Sequence, residues 1–187
     1  MEKKLKSVED IVSTHVIFAM TAGAIPVPVA DIVAVSAIQY DMIKQIAEFH
    51  KADYDADKGK TLASSLAGAT VSRIGASALK AIPGVGTLLG IGSQMVMAGA
   101  STYALGKLFD SHYSGSRTLD DFNLDSLKSQ YNELLSKGKE YAKDLKKSFS
   151  KDDVFMTIEK LNQLKNAGAI TEDEFRRTKE RLLNKIV

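Results

Sequence analysis

The chain has 187 residues, 44% hydrophobic and 26% charged, enough for one sizeable core with a small appendage and too few for a multidomain enzyme. Its formal charge of +2 is close to balanced throughout: residues 1–110 hold ten basic and ten acidic side chains, residues 111–187 fifteen and thirteen. Neither half has the one-signed field of a nucleic-acid binder. With no Cys there are no disulfides, thiolate nucleophiles or cysteine metal sites, which suits the cytosol, and no Trp with three His leaves little for stacking or zinc chemistry.

The N-terminus, Met1-Glu2-Lys3-Lys4-Leu5-Lys6, reaches Glu9 and Asp10 before any apolar run and shows no cleavage site after a short hydrophobic core, so a secretory leader is not expected. A first helix is predicted from about Ser7 to Gly23, with Glu9 and Asp10 in its first turn. A second opens at Pro28, where the missing N–H costs nothing. It carries Ile32, Val35, Ile38, Met42, Ile43 and Ile46, and stops in the polar stretch Lys51–Lys60. A third is expected from about Thr61 to Leu79, and a fourth from about Val85 to His112, bent or interrupted near its glycines.

An Ile-Pro breaker opens a small-residue helix twice, at Ile25-Pro26-Val27-Pro28 and at Ile82-Pro83-Gly84-Val85-Gly86. Aligned on Pro26 and Pro83, the two segments also match Ala24 with Ala81 and Ser36 with Ser93, the pattern of two helical hairpins related by an internal repeat. Gly68 and Gly75, then Gly92, Gly99 and Gly106, fall seven apart. That step keeps them on one helix face, where a neighbouring backbone approaches closely. Nothing in this half alternates with a strand period.

Ile11–Ala30 and Ala81–Gly106 contain no Asp, Glu, Lys or Arg, and each is long enough to span a bilayer. The first is cut by Pro26 and Pro28, and the second starts at Pro83-Gly84 and holds six glycines. A soluble or reversibly membrane-associated core is the favoured expectation, with a spanning or re-entrant hairpin as the alternative.

Ser114-Gly115-Ser116 begins a linker. The next helix, Asn123–Ser148, places Leu124, Leu127, Tyr131, Leu134, Gly138, Tyr141 and Leu145 at heptad spacing, a seam expected to dock on the chain's own core. In the last segment, Leu161 and Leu164 end a helix that Gly168 terminates. Thr171 and Glu174 then form a capping box, with Ile170 and Phe175 as its hydrophobic staple. Phe175, Leu182, Leu183 and Ile186 close this hairpin, which is too small for a core of its own and needs another surface, a second copy included.

No motif calls for catalysis. Gly59-Lys60-Thr61 invites a phosphate-loop reading, but Tyr54 stands where the motif needs its first Gly and no strand precedes it. His15, His50 and His112 are scattered without a second ligand at i+4. Asp31, one turn into the second helix, is either a carboxylate favoured by the helix dipole or half of a buried polar pair with Gln39. No metal or cofactor is expected.

The run Ile25-Pro26-Val27-Pro28-Val29-Ala30-Asp31, with Ile38-Gln39, Met42-Ile43, Pro83-Gly84-Val85-Gly86 and Thr102-Tyr103-Ala104-Leu105-Gly106-Lys107, resembles the bacterial domain of unknown function 697, the YcjF-like type, over about residues 10–113. That resemblance implies association with membranes and with GTPase domains; this sequence contains no GTPase domain, so such a partner would act in trans. Leu161, Leu164, Gly168, Ile170, Thr171, Glu174, Phe175, Lys179, Leu182 and Leu183 resemble the short C-terminal domain SHOCT over about residues 153–186, which implies oligomerisation or protein contacts.

The expectation is therefore an all-α, non-enzymatic protein. Its parts are a pseudo-repeated four-helix core with glycine-seam packing (1–113), a linker and heptad helix (114–152), and a C-terminal helical hairpin (153–187). The core motif residues are Pro26, Pro28, Asp31, Gln39, Pro83, Gly84, Gly86, Gly92, Gly99 and Gly106. The association residues lie in the hairpin, and a homo-oligomer at the inner face of the cytoplasmic membrane, with no nucleic acid bound, is the expected working form.

Overall fold

The computed structural model describes residues 7–23, 30–66, 86–115, 117–121, 123–148 and 150–184. Among them are seven helices and no strand: α1 (Val8–Ala22), α2 (Ala30–His50), α3 (56–66), α4 (Gly86–Ser114), α5 (Leu124–Lys147), α6 (Lys151–Asn166) and α7 (Glu172–Leu183). A 3-10 turn, Leu119–Asp121, lies between α4 and α5.

The all-α expectation holds, and α1 explains the first charge-free run. Ser7 caps the helix, its Oγ accepting from the Asp10 N–H at 3.1 Å, and the Gly23 N–H closes the other end on the Ala19 carbonyl at 2.8 Å. Between these ends α1 is walled by α2, α4 and α6. Ile11, Val12, Val16 and Met20 enter one apolar cluster, and Phe18, Ala19 and Ala22 another. A helix that is apolar all round belongs in an interior. For Ile11–Ala22 that interior is the protein's own.

The first cluster joins α1 to Met42, Ile43 and Ile46 of α2, Ala63 and Leu66 of α3, Leu105, Leu108 and Phe109 of α4, and Leu127, Tyr131 and Leu135 of α5. The second joins the other side of α1 to Ala34, Ala37 and Ile38 of α2 and to the apolar side of α6 and α7. The heptad helix thus docks on the core. Leu127, Tyr131 and Gly138 of the seam are buried together with Leu135 and Ala142, while Leu134, Tyr141 and Leu145 flank them.

The second helix ends where expected and the third starts earlier. α2 ends at His50 through a Schellman turn in which Ala52 N–H reaches the Ala47 carbonyl at 2.9 Å and Lys51 N–H the Glu48 carbonyl at 3.1 Å, with Lys51 at φ 54°. The polar stretch after it is only partly loop. Asp55 Oδ1 accepts from the N–H groups of Asp57 and Lys58 at 2.9 and 3.0 Å, so α3 starts at residue 56 rather than near Thr61. Gly59 lies inside α3 beneath the Tyr54 ring, where an ideal Cβ would sit 2.7 Å from Cε2. Gly59-Lys60-Thr61 is a helical packing segment. α4 runs unbroken from Gly86 to Ser114, without the interruption its glycines led one to expect.

Candidate functional site

The buried polar groups join helices to one another, and the densest group lies where the C-terminal hairpin meets the core. Asp41 on α2 points its Oδ2 at three donors: His15 Nε2 on α1 at 2.8 Å, Gln45 Nε2 at 2.7 Å and Lys160 Nζ on α6 at 2.5 Å. His15 Nδ1 meets the Ile11 carbonyl at 2.7 Å, so both ring nitrogens face acceptors. His15 is 1% exposed, Lys160 12% and Asp41 21%. Burial pushes the Asp41 carboxyl up, but the hydrogen bonds and charges of His15 and Lys160 outweigh it and hold the group down at about 2.

A second network crosses from α2 to α4 and α5. Gln39 Nε2 donates to Thr102 Oγ1 at 3.1 Å and Ser101 Oγ at 3.3 Å, Thr102 Oγ1 donates to the Ala98 carbonyl at 2.8 Å, and Ser101 Oγ lies 2.8 Å from the Tyr131 hydroxyl. His50 Nε2 meets Asp110 Oδ1 at 2.8 Å, tying the end of α2 to α4, and Lys107 of α4 pairs with Glu9 of α1. His112 Nε2 donates to the Thr118 carbonyl at 2.7 Å and fixes the turn into α5.

The Asp41 carboxylate accepts from three donors, and His15 is buried. Among the described residues no group of three or more His, Asp or Glu side chains is placed to hold a metal ion. A cleft of about 80 Å³ at the α4–α5 turn, lined by His112, Arg117, Asn123 and Gln130 among others, is far below the size of a cofactor site.

Of the residues singled out from the sequence, Pro26, Pro28, Pro83 and Gly84 lie outside the described residues. Asp31 falls on α2 and Gly86 and Gly92 on α4, and their packing, the Asp31–Gln39 pair included, lies outside the described residues. Gln39 has partners on α4. Gly99 faces Met20, whose Cγ would be 2.5 Å from an ideal Cβ, and Gly106 faces Val12, with Cγ2 at 2.7 Å.

The hairpin residues converge. Leu161, Leu164, Ile170, Phe175 and Leu182 are buried with Phe18, Ala34, Ala37 and Ile38, and Leu183 lies at the margin. Gly168 at φ 73° turns the chain, with Ala169 N–H on the Leu164 carbonyl at 2.9 Å. Thr171 and Glu174 form the reciprocal capping box.

The sequence reading missed Asp41, Gln45, Lys160, Ser101 and Tyr131 as a polar framework. The one available signal was Asp41 itself, a carboxylate beside the apolar pair Met42-Ile43 with an amide four residues on.

Fold and site define an all-helical packing module whose interior polar groups register helices and whose C-terminal hairpin is pinned to the core by one lysine. The chain belongs to the family described as Domain of unknown function (DUF697), which matches residues 3–140, and its residues 157–183 match the Short C-terminal domain, SHOCT. The first match runs through most of α5, in keeping with the packing of α5 on α4. The chain is similar to Magnetosome membrane protein 22 of Magnetospirillum gryphiswaldense (strain DSM 6361 / JCM 21280 / NBRC 15271 / MSR-1), 35% identical over 143 residues that cover 74% of this chain and 73% of that protein. No solved structure matches.

Proposed function

We propose that this protein is a non-enzymatic helical association module that self-assembles through its C-terminal hairpin and works at the inner face of the cytoplasmic membrane from outside the bilayer. The observation that carries the reading is the seat of the hairpin: an apolar face and one lysine fitted to a complementary apolar face and one carboxylate. The membrane part is supported by the relative's designation as a membrane protein together with the absence, among the described residues, of any helix long and apolar enough to cross a bilayer. Action beside a GTPase in trans rests on the family resemblance. In this reading Gly99 and Gly106 belong to a seam that lets α1, α2 and α4 close up, and the two Pro-initiated segments are halves of a pseudo-repeat.

Fractionation of the untagged protein tests the reading, with size-exclusion light scattering on the released fraction. Membrane-bound protein released by salt or alkaline carbonate, with a mass above one chain, is the expected result. Carbonate-resistant retention would overturn it in favour of an anchor or pore in which Ile11–Ala30 and Ala81–Gly106 enter lipid. A GTPase partner is expected to co-purify in a nucleotide-dependent manner.

A further inference from the structure

We infer that one flank of α5, carrying Lys139, Lys143, Lys146 and Lys147, is the surface on which this protein lies against a bilayer of anionic lipids. The inference rests on the membrane-surface reading above and gives it a face and a lipid chemistry.

Helical geometry gathers these lysines. α5 buries Leu127, Tyr131, Leu135, Gly138 and Ala142 against the core, and Leu134, Tyr141 and Leu145 border that seam on one side. Steps of four, three and one residues put Lys139, Lys143, Lys146 and Lys147 on its other side, within an arc of about 100° that holds no Asp or Glu over 137–147. Lys143, Lys146 and Lys147 are exposed and Lys139 is half-buried.

The acidic side chains of this stretch stand on the next strip of the helix and are occupied. Glu140 pairs with Lys143 and Asp144 with Lys147, each at 2.8 Å, and Glu133 pairs with Lys137 at 2.7 Å. Lys139 and Lys146 have no carboxylate partner among the described residues, so this end of α5 carries positive charge in excess. The helix dipole favours cations in the last turn, which accounts for Lys146 and Lys147 but not for Lys139, about two turns back.

The flank is a row of flexible ammonium groups with no aromatic or Arg side chain among them. That suits the diffuse negative field of a lipid surface, whereas nucleic-acid and phosphopeptide sites draw on stacking and on the guanidinium fork. Contact of this kind is held by charge, yields to salt and needs no spanning helix, and among the described residues no helix is long and apolar enough to span. Each lysine brought to an anionic leaflet is expected to raise partitioning about fivefold.

The test is co-sedimentation of the full-length protein at low salt with vesicles of equal parts phosphatidylglycerol and phosphatidylcholine, and with vesicles of phosphatidylcholine alone. Binding to the anionic vesicles, lost in high salt and absent on the neutral ones, is expected. Lys139→Gln/Lys146→Gln alters two side chains without ion pairs and is expected to lower the partition coefficient by about twentyfold. Lys44→Gln/Lys137→Gln removes as many lysines from α2 and from the outer side of α5, and is expected to change it by less than about threefold.

Equal losses in the two variants would reduce the effect to net charge and overturn the flank as the surface. Wild-type binding that the flank variant leaves unchanged would overturn it too, while the membrane-surface reading stood on the fractionation. Equal binding to neutral vesicles would overturn the lipid chemistry, and binding of double-stranded DNA with the same lysine dependence would overturn lipid as the occupant. Protein that neither sediments with vesicles nor fractionates with membranes rejects both readings.

Discussion

Gly138 on α5 lies so close to Ala100 on α4 that an ideal Cβ at position 138 would sit 2.7 Å from the Ala100 carbonyl oxygen and 3.0 Å from its Cα. Backbone atoms of a packed helix have nowhere to yield. Gly138→Ala gains about 1 kcal/mol of helix propensity and loses more to overpacking, on the order of 1–3 kcal/mol. The expected outcome is a melting temperature a few degrees below wild type, whereas a rise would show that α5 is not held against α4.

Asp41→Asn removes the charge that pins the hairpin. Because the folded carboxyl is held at about 2, below its ordinary 3.8, its ionisation stabilises the fold above about pH 4, and that contribution fades as pH falls toward 2. The shift corresponds to about 2 kcal/mol. Thermal melts should separate wild type from Asp41→Asn at pH 6 and bring them together near pH 2. A constant gap across that range would mean that the loss is not electrostatic.

Lys51 closes α2 in the left-handed region, at φ 54°. The side chain is exposed and the conformation disfavours any residue with a Cβ. Lys51→Gly is expected to raise stability by about 1 kcal/mol. The reverse case is Gly168→Ala, where no atom lies within 4 Å of the added carbon, so a loss of similar size would be conformational and not steric. Denaturant midpoints of the two variants, compared with wild type, check both signs.

Among the described residues the buried Tyr113 hydroxyl has no hydrogen-bond partner, and burial raises the phenol well above its usual range. The ring itself packs on Phe109 and His112. Tyr113→Phe keeps that packing and removes the orphaned group, so stability should rise by about 1 kcal/mol. A destabilised variant in calorimetry would reveal a partner for the hydroxyl.

Helix identity was legible because it depends on short-range rules. Ser7 with the acidic first turn, Gly168 and the Thr171–Glu174 box are local devices whose partners stand within a few residues, and they appear where the spacing put them. Boundaries set by competing local bonds were less legible, as the start of α3 at residue 56 illustrates. There Asp55 uses its own carboxylate to cap a stretch that reads as loop.

The sequence by itself determined an all-helical chain, the shape of its terminal hairpin and the charge-free character of Ile11–Ala22 in α1. Only the tertiary structure decided what surrounds them. A charge-free helix looks the same to composition whether lipid or protein covers it, and here α2, α4 and α6 cover Ile11–Ala22. The node of His15, Asp41 and Lys160 was equally out of reach, because its members stand on three helices far apart in the chain, and only packing brings their charges within hydrogen-bond distance.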